Sequence, residues 1–339
     1  MMDTPLINYD ALESGSQSQD EEDLNTTASS AILSFEAAQP PLAVTSIETV
    51  RCNYSVAVRE NITKARASVS PLVWRTYEEV DLLMQQLKTI VVAAFVLLYL
   101  TCIVFLNLAY YRFKMGPRLH DIGHQVLPQV DELSNLVDSP MYCLYPFIGF
   151  LFLSTLIPHE GVTKPYLVNM VKRFGCVFAI GHTLRAATYL ATSLPGSAKH
   201  CLDPEKVEAN RPTVPEIFYK PASLVVNCGD LMFSGHMLQM ILFVLMIHRY
   251  GQKCWVISRT QHRVVLAIVS LLCVAQSCVI LMARHHYTSD IVVAFYVTPL
   301  LWYFYNNEID KTDRTPNHER IAAQVLDLPF PSFDSNEQV

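Results

Sequence analysis

Apolar residues in this chain are clustered into long runs separated by short polar stretches. Six runs stand out: Ile90–Tyr111, Tyr142–Ile157, Phe174–Leu194, Leu231–Ile247, Val264–Ala283 and Ile291–Tyr305. About 20 apolar residues cross the hydrocarbon core of a bilayer as a helix, and several runs approach that length. The shorter ones would also suit buried core helices, but six in one chain favour a membrane bundle. The expected fold is an all-α membrane protein with six transmembrane helices. Before the first run, Pro71–Lys88 mixes Leu72, Val73, Trp74, Val80, Leu82, Leu83 and Leu87 with charges, which fits an interfacial helix over 71–88.

Composition agrees with this reading. Only 17% of the 339 residues are charged and 51% are hydrophobic, whereas about a quarter of a soluble domain is charged. The net charge of −6 misleads if read globally. Asp3, Asp10, Glu13, Asp20, Glu21, Glu22 and Asp23 sit in an opening stretch rich in Ser, Gln and Thr, without Lys or Arg. Residues 1–70 therefore read as a disordered acidic tail, 89–306 as the membrane domain, and polar residues 307–339 as a second flexible tail. No basic stretch suggests nucleic-acid binding. No signal peptide opens the chain, so the first span is expected to direct insertion.

Helix parity puts two polar motifs on one face of the membrane. Asn227–Met237 opens the fourth run and Ala283–Asp290 opens the sixth, with one full hairpin between them. A cytosolic N-terminus makes that face lumenal or exoplasmic, although the Lys and Arg of the loops hardly decide the orientation. The sequons at Asn25, Asn53 and Asn61 then stay unmodified.

The motifs carry chemistry. His286 and Asp290 are four apart, which on a helix is one face. The carboxylate can hold one ring nitrogen as N–H and leave the other as nucleophile or base. Asp230 and Ser234, also four apart, precede a helix start where backbone N–H groups and the dipole favour an anion. His236 faces the same compartment and can handle the proton. Two capped helix starts would explain Asp230 and Thr288, but not two histidines converging. Arg185, roughly 13 Å below the end of its span at helical rise, either reaches a lipid phosphate or pairs with an acid such as Asp230. Arg284 is a second candidate for phosphoryl oxygens, and His285 reads as a bystander. Asp121 and His124 either join the site as accessory residues or end a helix. Cys201 and Cys228 flank one loop and form either a disulfide or two free thiols. The other cysteines in apolar runs read as packing residues. No metal-ligand spacing is visible, so neither metal nor cofactor is expected.

Cys228-Gly-Asp-Leu-Met-Phe-Ser-Gly-His236, taken with His286-Tyr-Thr-Ser-Asp290, resembles the sphingolipid synthase family. That family includes sphingomyelin synthases and the plant and protozoan inositol phosphorylceramide synthases, relatives of type 2 phosphatidic acid phosphatases. Arg185–Gly196 with His200-Cys201 looks like its third-helix motif, and Asp121-x-x-His124 with Pro128 loosely resembles its first-loop motif. The resemblance implies a PAP2-like six-helix bundle in the Golgi or plasma membrane, with cytosolic termini. It implies transfer of a phospho-headgroup from a glycerophospholipid to ceramide, releasing diacylglycerol. His286 would form a phospho-histidine, Asp290 would orient it, and His236 would move the proton. Ceramide, glycerophospholipid and membrane lipids are the implied partners, with a homo-oligomer left open. Choline, ethanolamine and inositol all stay open as the headgroup. Met237 stands where sphingomyelin synthases usually have Thr. Two other readings stand beside it: a lipid phosphatase using water as acceptor, and a non-enzymatic ceramide-binding protein.

Overall fold

The computed structural model describes residues 44–159, 162–221, 228–311 and 313–327. The acidic opening stretch, Asn25 and Asn227 lie outside them. Two compact units are present, Met1–Tyr54 and Ser55–Val339. The first contributes only the opening of α1 (Val44–Ser68), and all other elements lie in the second.

The elements in order are α2 (Pro71–Phe95), running through a π-helical stretch (Val96–Phe105) into α3 (Leu106–Arg112), then α4 (Ile122–Val126), α5 (Ser139–Leu156), α6 (Leu167–Ala191), α7 (Pro204–Asn210), α8 (Gly235–Trp255), α9 (Arg259–Met282), α10 (Thr288–Phe304) and α11 (His318–Val325). Among the described residues the only strand-like pairing is an isolated bridge between His159 and Val162. Each of the six apolar runs falls on a helix. Among the described residues, three helical segments are long and apolar enough to cross a membrane: Pro71–Arg112, Asp131–Leu156 and Arg259–Met282. The remaining helices are interrupted by charge, such as Arg173 and Arg185 in α6, or are short, as is α10 with 17 residues.

Helix α8 forms the centre. Met237, Leu238, Met240, Leu242, Met246 and Ile247 are fully buried, and the helix packs on α5, α6, α9 and α10. The outer faces are apolar too: Leu271 of α9 is 70% exposed and Leu300 of α10 is 65% exposed. A soluble protein rarely leaves such patches uncovered, and these faces mark a membrane protein.

At the end remote from the two motifs, the bundle is closed by ions rather than by apolar packing. Arg173 is fully buried, with Nε 3.1 Å from Asp310 Oδ2, Nη2 3.0 Å from Asp313 Oδ1, and Nη1 donating to Tyr250 Oη at 2.9 Å. Lys172 Nζ joins Asp310 Oδ2 at 2.8 Å. Glu79 of α2 caps α6 by accepting the N–H groups of Leu167 and Val168 at 2.7 and 3.0 Å.

Three expectations are corrected here. Pro71–Lys88 is no separate interfacial helix. It is the first half of the continuous helix that becomes the first span, and its acids face protein: Glu79 caps α6, and Asp81 accepts Asn317 N–H at 2.7 Å. The two tails are also shorter than composition suggests. Val44–Ser68 is helical, and its Ala65 is buried with Trp74, Ile321 and Ala322. Residues 318–325 form α11, held by His318 Nε2 3.2 Å from Glu78 Oε1 and by Arg320 Nη1 3.4 Å from Asp81 Oδ1. Polar composition hides such segments because their apolar positions are few, Ala65 in α1 and Ile321 and Ala322 in α11, and these are buried against Trp74 of another helix.

Candidate active site

The two motifs meet at one end of the bundle. The His236 and His286 rings lie 6.2 Å apart between centroids, crossed at 68°. His286 Nδ1 is 2.9 Å from Asp290 Oδ2, and both residues are buried. The pairing does not arise from a shared helix face, as the spacing suggests. Helix α10 begins at Thr288, so His286 precedes it in non-helical backbone. Asp290 lies in the first turn, and its carboxylate reaches back to the Tyr287 N–H at 3.2 Å as well as to the histidine. A carboxylate at this position satisfies otherwise unpaired N–H groups of the helix start.

Asp290 also binds the other motif. Its Oδ1 accepts the Met232 N–H at 3.0 Å, and its backbone carbonyl accepts the Ser234 N–H at 3.2 Å. Met232 has φ of 90°, a conformation that costs energy for a side chain of this kind and persists only where surrounding contacts enforce it. Residues 228–234 are therefore a loop and not the start of the fourth helix. Ser234 caps α8 by accepting the Met237 N–H at 3.4 Å and is fully buried.

Asp230 is not a cap. It pairs with Arg185 Nη2, whose Nε donates to the Phe233 carbonyl at 2.7 Å. Of the two roles left open for Arg185, the structure places it on Asp230 and the motif loop. Arg284 has φ of 59° and donates Nη2 to the carbonyls of His124 and Leu127 at 2.8 and 2.9 Å. Its Nη1 is buried and unpartnered among the described residues.

Asp121 and His124 are brought to the back of the site. Asp121 caps α4 and accepts both the Thr288 N–H at 2.8 Å and its hydroxyl at 2.7 Å. His124 Nε2 donates to the His286 carbonyl at 3.0 Å. Burial works to raise the Asp121 pKa, but the Thr288 hydroxyl and the N–H groups of His124 and Thr288 outweigh it and hold the carboxyl below its ordinary range. Burial lowers the His124 pKa. Gly123 permits the junction, since a Cβ there would collide with Thr288 Oγ1. These residues set the backbone on which His286 sits.

Cys201 and Cys228 are joined as a disulfide, with Cα atoms 5.6 Å apart. It ties the turn Lys199–Leu202 to the start of the motif loop.

Asp138 was missed by sequence reasoning. Its Oδ1 lies 3.0 Å from His236 Nε2. Asp138 directly precedes α5, in Asp138-Ser139-Pro140, where an acid reads as an ordinary helix start. Nothing in its spacing points to a histidine on another helix.

Comparison with known proteins agrees with this geometry. Residues 227–307 match the model of the PAP2 superfamily C-terminal family. The chain is similar to the phosphatidylinositol:ceramide inositolphosphotransferase of Oryza sativa subsp. indica, 30% identical over 64% of this chain and 65% of that protein. The chain thus spans just under two thirds of that relative. It is 28% identical to phosphatidylinositol:ceramide inositolphosphotransferase 3 of Arabidopsis thaliana, over 71% of this chain and 82% of the relative. It is 26% identical to human phosphatidylcholine:ceramide cholinephosphotransferase 1, over 49% of this chain and 41% of the relative. The resemblance to the sphingolipid synthase family read from the motifs therefore extends well beyond them.

Proposed function

We propose that this protein is a phosphosphingolipid synthase, moving a phosphorylated headgroup from a glycerophospholipid to the primary hydroxyl of ceramide and releasing diacylglycerol. The observation that carries the reading is the pair of rings 6.2 Å apart, one of them oriented through Nδ1 by Asp290 at 2.9 Å. With Nδ1 engaged, Nε2 of His286 is the nitrogen available for attack.

In the first step His286 Nε2 bonds to phosphorus and the bond from phosphorus to the diacylglycerol oxygen breaks. His236 gives that oxygen a proton. In the second step the ceramide hydroxyl attacks phosphorus, His236 takes its proton back, and the phosphorus–nitrogen bond breaks. Asp138, 3.0 Å from His236 Nε2, stabilises the ring in its protonated form, before the first step and after the second. The first turns of α8 and α10 open at this site, and their dipoles favour a phosphoryl anion. Arg185 is engaged by Asp230 and acts by holding the motif loop. Arg284 keeps one unpartnered guanidinium nitrogen for the donor phosphate.

In this reading all six apolar helices span the bilayer, and the site lies on the lumenal or exoplasmic side of the Golgi or plasma membrane. The Cys201–Cys228 disulfide supports an oxidising compartment for that face. The test is expression in cells lacking their own synthase, fed fluorescent ceramide, beside His286→Ala. A new phosphosphingolipid that vanishes in the variant supports the reading. Phosphate released from phosphatidic acid, with no ceramide product from any donor, overturns it in favour of a lipid phosphatase.

A further inference from the structure

Helix α4 has inverted polarity. Asp121 and His124 face the protein, their side chains 7% and 11% exposed. Ile122 and Val126, four apart and so on one side of the helix, are 69% and 74% exposed. Leu119, just before the helix, is 45% exposed. A surface helix in water turns its apolar stripe to the core and its polar residues outward. The reverse arrangement fits a helix whose surroundings are apolar.

The ridge cannot be hidden by a turn of the helix, because its inner face is tied down along its length. The Gly123 N–H donates to Thr288 Oγ1 at 3.0 Å. Asp121 accepts the N–H and the hydroxyl of the same threonine, and His124 meets the His286 carbonyl. Arg284 holds the carbonyls of His124 and Leu127 at the far end, where a cation suits the helix dipole. The bonds that support the backbone of His286 therefore also point Ile122 and Val126 outward.

The neighbouring surface tells what they point into. Thr288, on which α4 rests, opens α10. Val292 and Phe295 follow it at the spacing of one helix face and are 53% and 44% exposed. The apolar outer face of α10 thus runs up to α4. Asp121 is the only Asp, Glu, Lys or Arg in residues 119–130, and its carboxylate is turned inward.

We propose that α4 is seated in the lumenal or exoplasmic leaflet, with Leu119, Ile122 and Val126 in lipid, and that this seat fixes the depth at which His286 meets a phospholipid phosphate. The partner is the bilayer surface, into which an interfacial helix sinks its apolar face by about 5–10 Å. The depth of His286 matters to catalysis through the transfer reading above, while the seat itself does not depend on that chemistry.

The experiment places a tryptophan on the ridge, Ile122→Trp or Val126→Trp, in full-length protein in phosphatidylcholine nanodiscs, which leave both faces open to aqueous quenchers. The native protein, with Trp74, Trp255 and Trp302, supplies the baseline. The added emission is expected to be lost mostly to lipids brominated high on the acyl chain and little to aqueous iodide. Ile122→Ser with Val126→Ser is expected to lower kcat/KM in vesicles holding ceramide and phospholipid roughly tenfold, with an unchanged unfolding temperature. Ile122→Leu with Val126→Leu should keep native activity. Emission lost to iodide and not to brominated lipid overturns the proposal, because the ridge then lies in water. Native activity in the serine pair overturns the link to His286, and a lowered unfolding temperature there would make the ridge a packing element instead. If the serine pair does not fold, the quenching decides. A native protein that yields no ceramide product overturns the transfer reading, and the quenching then still tests the seat.

Discussion

The carboxylate of Asp290 accepts the backbone N–H of Met232 at 3.0 Å while its second oxygen orients His286 at 2.9 Å. One buried side chain thus holds the His286 ring, the nucleophile of the proposed reaction, and joins the two motif segments. Asp290→Asn should keep the fold and lower kcat roughly 10⁴-fold, because an amide nitrogen facing Nδ1 imposes the wrong tautomer. Asp290→Ala should in addition destabilise the protein by about 1–3 kcal/mol for the Met232 N–H left unpaired. Transfer rates beside thermal unfolding of the two variants separate these effects. An Asn variant with native activity contradicts the assigned role.

Asp138 acts on the other histidine. Asp138→Asn should lower kcat by roughly 10²-fold, within the range for weakened general acid–base catalysis, with little change in KM for either lipid. A large rise in KM with kcat intact would instead make Asp138 a substrate contact.

Remote from the site, Asp310 neutralises Arg173 and Lys172. Asp310→Ala leaves a fully buried guanidinium short of its partner and should cost about 3–5 kcal/mol. Asp313 is far more exposed, its side chain 46% accessible. Asp313→Ala should cost at most about 1 kcal/mol. Thermal unfolding in detergent and protein abundance in cells both report the contrast. Equal effects would mean that burial does not control this network.

Acid should weaken the fold through histidines that are buried while neutral. His285 is pushed down to about 4 and His124 is lowered, both chiefly by burial. The unfolded chain takes up protons near the ordinary histidine value of about 6.5 while the folded protein does not. Stability therefore rises with pH across this range and falls as the pH drops from about 6.5 toward 4. Unfolding temperatures measured at pH 7.5 and 5 should show the decline, with a shallower slope for His285→Asn. An unchanged slope in that variant would remove His285 as a source.

Much of this protein is determined by its sequence alone. The apolar runs locate the six main helices, because hydrophobic length is a local property. The pairing of His286 with Asp290 was legible from their spacing, although the contact is made by an acid in the first helical turn reaching back, not by a shared helix face. Parity of the runs brought His236 and His286 to one end, where the rings stand 6.2 Å apart.

Tertiary structure alone decided the rest. Asp138 meets His236 from a different helix, and Asp81, Glu78 and Glu79 gather the C-terminal segment and α6 onto α2. Arg185 took Asp230 in place of remaining free, and Asp121 and His124 came to support the backbone of His286. These are contacts between polar groups distant in sequence, each set by where packing places two helices. Polar contacts between residues far apart in the chain follow no local period, so no spacing announces them. Hydrophobic burial does have one, which is why the sequence determined the helices and only the fold determined their polar partners.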